Sequence, residues 1–156
     1  MTALAGSERF SIDTNVLVYC VDATAGEKHR RALEIMDRAV ECDCVLSTQV
    51  LAEFYHAVTR KRLVPRREAA AQARDWAKAY AVVAPELTEL QSALAYAERM
   101  QLSIWDALLV ATARRTQCTL LLSEDMADGA AFGPVTVINP FRGASLPPRA
   151  AAALDL

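Results

Sequence analysis

Residues 103–125 read SIWDALLVATARRTQCTLLLSED, and this run holds a helix-to-strand unit with an acid near each end. Ser103 with Asp106 three residues on is a capping-box pattern, opening a helix over Ile104–Gln117. Ala107, Leu108, Leu109, Val110 and Ala111 make that helix apolar almost all round, the pattern of a buried helix. Thr119–Leu122 then reads as a β run, and Asp125 lies just past it.

The same alternation extends outward. Upstream, Arg9–Asp13 reads as a brief strand, and Thr14–Asn15 suit the cap of a following helical turn. Glu27–Glu41 spaces Ala32, Leu33, Ile35, Met36 and Val40 as an amphipathic helix. Cys44–Leu46 is a second strand, and Ser47–Thr48 can cap a helix carrying Val50, Leu51, Phe54 and Val58. Pro65 starts a helix to about Ala81, Val82–Ala84 is a third short strand, and Thr88 with Gln91 opens a helix to Met100. Downstream, Ser123–Pro134 reads as a loop and Thr136–Ile138 as the last strand. Strands alternating with helices predict an α/β sandwich around a mostly parallel sheet. With 156 residues, no repeat and no linker, the chain divides into a lead (1–8), one domain (9–141) and a tail (142–156) expected to be extended or loosely held.

The formal net charge is −2, so no overall positive field recruits a polyanion; a local basic patch or a bound cation has to do so. Cys20, Cys42, Cys44 and Cys118 form no CxxC pair, and only His29 and His56 could join them in a zinc site. Reduced thiols in a cytoplasmic protein are the expectation. The first residues lack the basic-then-apolar order of a signal peptide, and no apolar run reaches the roughly 20 residues that span a bilayer.

Four carboxylates stand where carboxylates are costly. Asp13 ends the first strand and Asp125 follows a later one, on the rim where open α/β sheets bind ligands. Either also reads as a turn former. Asp106 opens a buried helix, where it serves as a capping acid, points into a cleft, or does both. Glu53 falls at the edge of its helix's apolar stripe. If the four converge, their repulsion calls for a hard divalent cation, and without a His or Cys cluster Mg2+ or Mn2+ is favoured over zinc. Such a site binds phosphate oxygens and activates water. Arg60, Lys61, Arg62, Arg66 and Arg67 form one basic cluster and Arg114–Arg115 another. Each reads as a solvated face, or as a contact to RNA backbone or an acidic partner segment.

Taken together these residues resemble PIN-domain proteins. Ser11-Ile12-Asp13-Thr14-Asn15-Val16-Leu17-Val18-Tyr19 is similar to their opening motif, and Leu51-Ala52-Glu53-Phe54 to the second acidic one. Ile104–Ala113 is similar to the third, Leu121-Leu122-Ser123-Glu124-Asp125-Met126 to the fourth, and Val137-Ile138-Asn139-Pro140-Phe141 to the closing strand. The resemblance runs in order from about Phe10 to Phe141 and is nearest to the VapC-like toxins. It implies a compact α/β/α domain over 9–141, with Asp13, Glu53, Asp106 and Asp125 as metal-site carboxylates and Asn15 and Ser123 as hydrogen-bonding helpers. It also implies a Mg2+- or Mn2+-dependent endoribonuclease acting on RNA, a homodimer, and a cognate VapB-like antitoxin. A catalytically silent interaction module and a DNA-directed nuclease are the alternatives. Asp22 and Asp128, acids near the motifs, read as loop residues.

Overall fold

Strand β1 (Phe10–Ile12) feeds α1 (Thr14–Tyr19), and Asp13 between them turns the chain: its Oδ1 accepts the Thr14 N–H at 2.7 Å. The cap is therefore Asp13, one residue before the expected Thr14–Asn15. The computed structural model describes residues 7–100 and 102–156, so the first six positions of the expected lead lie outside the described residues. A single 3-10 turn, Ala23–Ala25, leads into α2 (Glu27–Ala39), then β2 (Val45–Ser47) and α3 (Thr48–Arg60), with Ser47 Oγ accepting the Gln49 N–H. Next come α4 (Arg66–Ala79), β3 (Ala81–Val83), α5 (Leu87–Met100), α6 (Ile104–Arg115) and β4 (Leu120–Leu122). The chain closes with β5 (Ala131–Phe132), β6 (Val135–Ile138) and α7 (Pro148–Ala153).

Strands β1, β4 and β6 pair in parallel, and β5 joins β6 antiparallel at the edge. The parallel pair β2–β3 continues the sheet on the other side of β1, through a bridge between Phe10 and Cys44 and the Ser11 Oγ bond to the Val45 carbonyl. Parallel neighbours cannot be joined by tight turns, so helices make the crossovers and cover the sheet. Hence β1, β2 and β4 are buried along their whole length, although each is only three residues long. The expected α/β/α architecture with a short, mostly parallel sheet stands.

Several local expectations are corrected. Helix α5 opens at Leu87, where Glu89, rather than the Thr88–Gln91 pair, reaches back to the Glu86 N–H at 2.8 Å. Leu33 of α2 and Val40 just past its end stay exposed, while Ala32, Ile35, Met36 and Ala39 face the core. The expected loop Ser123–Pro134 contains β5, which turns back through Gly133 at φ +59, a conformation glycine adopts without strain. The tail is not loosely held. Its helix α7 buries Ala150, Ala153 and Leu154, and Arg149 pairs with Glu8. Arg31 ties the approach to α7 by donating to the carbonyls of Pro140, Gly143 and Ala144. The cysteines are unpaired, as expected, with Cys20, Cys44 and Cys118 buried and the Cys20 thiol pushed up to about 12 by desolvation. No helix among the described residues is long and apolar enough to cross a membrane.

Candidate functional site

The chain runs from β1 outward to β2 and β3, then returns through α5 and α6 to β4 on β1's other side. That reversal leaves a crevice outside the carboxyl ends of β1 and β4, where α/β sheets hold ligands. A cleft of about 350 Å³ lies there, and Asp13, Glu53, Asp106 and Asp125 all line it. Each comes from a different element: the end of β1, the second turn of α3, the first turn of α6, and the loop after β4.

Asp13 is the buried member. Its backbone N–H bonds the Leu122 carbonyl at 2.9 Å, locking the end of β1 to the end of β4. Ser123 donates its hydroxyl to Asp13 Oδ2 at 2.6 Å, and its own Oγ accepts the Asp125 N–H at 3.2 Å. Asn15 donates to Asp13 Oδ2 at 3.3 Å and accepts the Glu124 N–H at 3.2 Å, bridging the two loops. Ser123 is fully buried, so it acts on the cleft through Asp13 instead of lining it. Burial lifts the Asp13 carboxyl to about 6 against the pull of its hydrogen bonds, and the charges of Asp106 and Asp125 push the same way. Asp106, half-buried, is also raised, chiefly by desolvation and then by Asp125 and Glu53. Its backbone N–H donates to Ser103 Oγ at 3.1 Å, so Ser103 caps the helix while Asp106, in its first turn, faces the cleft.

Glu53 is held on both oxygens, by Thr14 Oγ1 at 3.2 Å and by Gln49 Nε2 at 2.7 Å. Gln49 Nε2 also donates to the Trp105 carbonyl at 2.8 Å, which joins α3 to the start of α6. The amide cannot be reversed without setting its oxygen against the Glu53 carboxylate, and Gln49 Oε1 is left buried with no partner among the described residues.

All six predicted site residues meet at this end of the sheet. The four acids nevertheless stand apart: among the described residues no three His, Cys, Asp or Glu side chains form a closed metal-ligand cluster. The donor chemistry, all carboxylate oxygen around one cleft, fits a hard cation that would draw them together.

His56, Tyr19 and Lys61 also line the cleft, and the sequence had marked none of them for this place. Lys61 belongs to the first basic cluster, so one cation of that run lines the acidic cleft. Tyr19 and Lys28 bond the two oxygens of Glu124, fixing the loop that carries Asp125. The second basic cluster is committed to the fold. Arg115 bonds Glu89 at 2.9 Å and the Ala84 carbonyl at 2.7 Å, and Arg114 lies against Gly133. Asp22 lines the mouth while capping its own turn, and Asp128 pins the Asn139 N–H, both as loop acids.

No curated protein sequence matches the chain. Among solved structures it is similar to Mycobacterium tuberculosis VapC20, described as a toxin cleaving the sarcin-ricin loop (TM-score 0.62, 16% identity, 74% of this chain and 89% of that one). It is also similar to a chain of a toxin–antitoxin complex from Klebsiella pneumoniae (TM-score 0.58, 18% identity, 84% and 97%). A third likeness is to VapBC2 from Rickettsia felis, bound to a fragment of promoter DNA (TM-score 0.59, 13% identity, 82% and 96%). At these identities the structures speak for the fold. The PIN domain profile, however, matches residues 11–127, a span that includes all four cleft acids, and the chain therefore belongs to the PIN domain family.

Proposed function

We propose that this protein is a divalent-metal-dependent endoribonuclease and the toxin half of a toxin–antitoxin pair. The observation that carries the reading is the convergence of Asp13, Glu53, Asp106 and Asp125, from four separate elements, on one cleft at the reversal of strand order. Membership of the PIN family and likeness to VapC20 and to chains of two toxin–antitoxin assemblies support it.

The four carboxylates would hold Mg2+ or Mn2+, which supplies charge for phosphate oxygens and an activated water when bound. The chain's own residues do the positioning. Ser123 and Asn15 fix the Asp13 carboxylate, while Thr14 and Gln49 fix that of Glu53. Lys61 offers the phosphodiester backbone a cation beside the acids, and exposed Arg60, Arg62, Arg66 and Arg67 extend that basic rim. Among the described residues no second histidine lines the cleft to pair with His56, which disfavours attack by the ribose 2′-hydroxyl. Water attack then leaves 5′-phosphate and 3′-hydroxyl ends.

Partners are read from two surfaces. Leu87, Leu90 and Leu94 line an exposed face of α5, suited to a second copy of the chain in a homodimer. Leu33 of α2 and the adjoining Val40 border a groove with Trp76 and Ala79 of α4, an apolar surface that an antitoxin's amphipathic helix could cover. Helix α3 offers no such surface on its apolar side, because Val50, Phe54 and Val58 are spent on the core. An Arg or Lys from the antitoxin, set among the four acids, would take the place of the metal's charge.

Cleavage of defined RNAs and DNAs with end analysis tests the reading. Wild-type protein is expected to cut RNA with Mg2+ or Mn2+, to stop in excess EDTA, and to leave 5′-phosphates. Asp106→Asn is expected to lower kcat at least about 100-fold, the scale of a lost electrostatic contact to the reacting centre. Wild-type rates in that variant would refute the site, full activity in EDTA the metal, and cyclic-phosphate ends the mechanism.

A further inference from the structure

Beside the acidic cleft runs a second, apolar groove of about 760 Å³, and Glu53 and His56 form a wall common to both. Its other side is Trp105, Leu108 and Pro85, with Ala52 on the α3 side. Trp105 is 59% exposed, the largest side chain on the surface with so much area uncovered, and it immediately precedes Asp106. The protein's other tryptophan, Trp76, is spent on the core, edge-on to Phe54 at 4.8 Å. The Trp105 main chain is fixed by its carbonyl bond to Gln49, whose amide also holds Glu53. The backbone that carries this half-exposed indole is thereby tied to the side chain that holds Glu53.

We propose that Trp105 is a stacking platform for an unpaired nucleobase next to the phosphodiester that the acidic cleft cuts, and so a residue that sets which single-stranded sites are cleaved. The inference rests on the nuclease reading above. The division of the surface matches the division of a nucleotide. Its phosphate suits the cleft, where Lys61 lies and a cation would be held, and its flat, weakly polar base suits the adjoining groove. Bases stack on aromatic side chains whatever their identity, and proteins that recognise RNA read bases that are splayed out of helices. Continuity across the shared Glu53–His56 wall favours a nucleotide over a second copy of the chain, for which the exposed leucines of α5 provide a separate surface.

The test compares wild type, Trp105→Phe and Trp105→Ala in two measurements. With Ca2+ supplied as the divalent cation, titration with a single-stranded oligoribonucleotide is expected to quench tryptophan fluorescence in wild type but not in Trp105→Phe, whose remaining tryptophan is buried. In cleavage assays with Mn2+, Trp105→Ala is expected to raise KM about 5- to 150-fold, the range of one lost base–aromatic stack, with kcat within a few-fold. Trp105→Phe is expected to recover most of the loss. Cleavage by wild type with unchanged KM in Trp105→Ala overturns the platform and leaves the nuclease standing. Quenching by RNA without cleavage by wild type does the opposite. A kcat loss that phenylalanine does not rescue marks a disturbance of Asp106 and overturns the platform. So does a Trp105→Ala protein that changes from dimer to monomer at unaltered KM, which assigns the groove to a second copy.

Discussion

Asp13 is placed by the backbone and opposed by its surroundings. The turn from β1 to α1 needs a short acceptor at that position, and the ends of β1 and β4 close over it. Desolvation then raises its carboxyl to about 6 from an unfolded value near 3.8. A raised carboxyl keeps its proton in the folded state after the unfolded chain has lost it, so stability falls as pH rises between those two values. The shift corresponds to about 3 kcal/mol lost by pH 7 in metal-free protein. Asp13→Asn removes that penalty, keeps an acceptor for Ser123, and loses one acceptor for the Thr14 N–H, worth about 1 kcal/mol. Urea unfolding in EDTA is therefore expected to find Asp13→Asn about 2 kcal/mol more stable than wild type at pH 7.5, with the gain gone near pH 4. A gain that is the same at both pH values would show that Asp13 is not the strained group. The sequence exposed Asp13, Asp106 and Asp125 because strand ends and helix starts are readable locally. Glu53 showed locally only as an acid at the edge of an apolar stripe and drew its weight from the other three and from likeness to a motif, and Lys61, His56 and Trp105 were not legible as groove or cleft residues. Which face of α3 or α6 meets the site depends on how those helices lie on the sheet, and no local pattern encodes that.

At the scale of elements, short apolar runs located every strand but one to within a residue or so, and 3.6-residue spacing and capping patterns every α-helix but one, because burial writes both signals into the sequence. Two elements escaped it. Strand β5 is two residues long, below the length at which alternation carries information, and exists because Gly133 turns it back onto β6. Helix α7 follows Pro147–Pro148, a pair that reads as extended chain. Yet Pro148 occupies the first turn of the helix, where its missing N–H costs nothing, and the alanines after it are strong helix formers. The packing of α7 is testable against the expectation of a loose tail. Leu154 is fully buried, so Leu154→Ala is expected to lower stability by about 2–5 kcal/mol in urea unfolding. Leu156, 52% exposed two residues later, is the control, with Leu156→Ala expected within about 0.5 kcal/mol of wild type. Equal, small effects at both positions would mean that α7 does not belong to the cooperative unit.

Over the whole molecule, a net charge of −2 and a cleft lined with four acids make a surface that repels RNA until a cation is bound. The same field attracts a basic side chain, so the apo cleft suits an inhibitor better than a substrate. That asymmetry is a physical basis for control by a partner: an antitoxin helix seated between α2 and α4 could bring an Arg or Lys to the acids. Expression of this chain alone is then expected to slow growth, and co-expression of the small protein encoded beside it to restore growth. The Asp106→Asn variant separates the two halves of the claim, since it should be harmless when expressed alone and should still bind the partner through the apolar groove. Replacing Leu33 and Val40 by Ser should weaken that binding while leaving RNA cleavage intact, because neither lines the cleft. A chain that is harmless alone, with no neighbouring protein binding it, would end the toxin assignment. The nuclease assignment would survive that result, since it depends on the four carboxylates and on nothing about the partner.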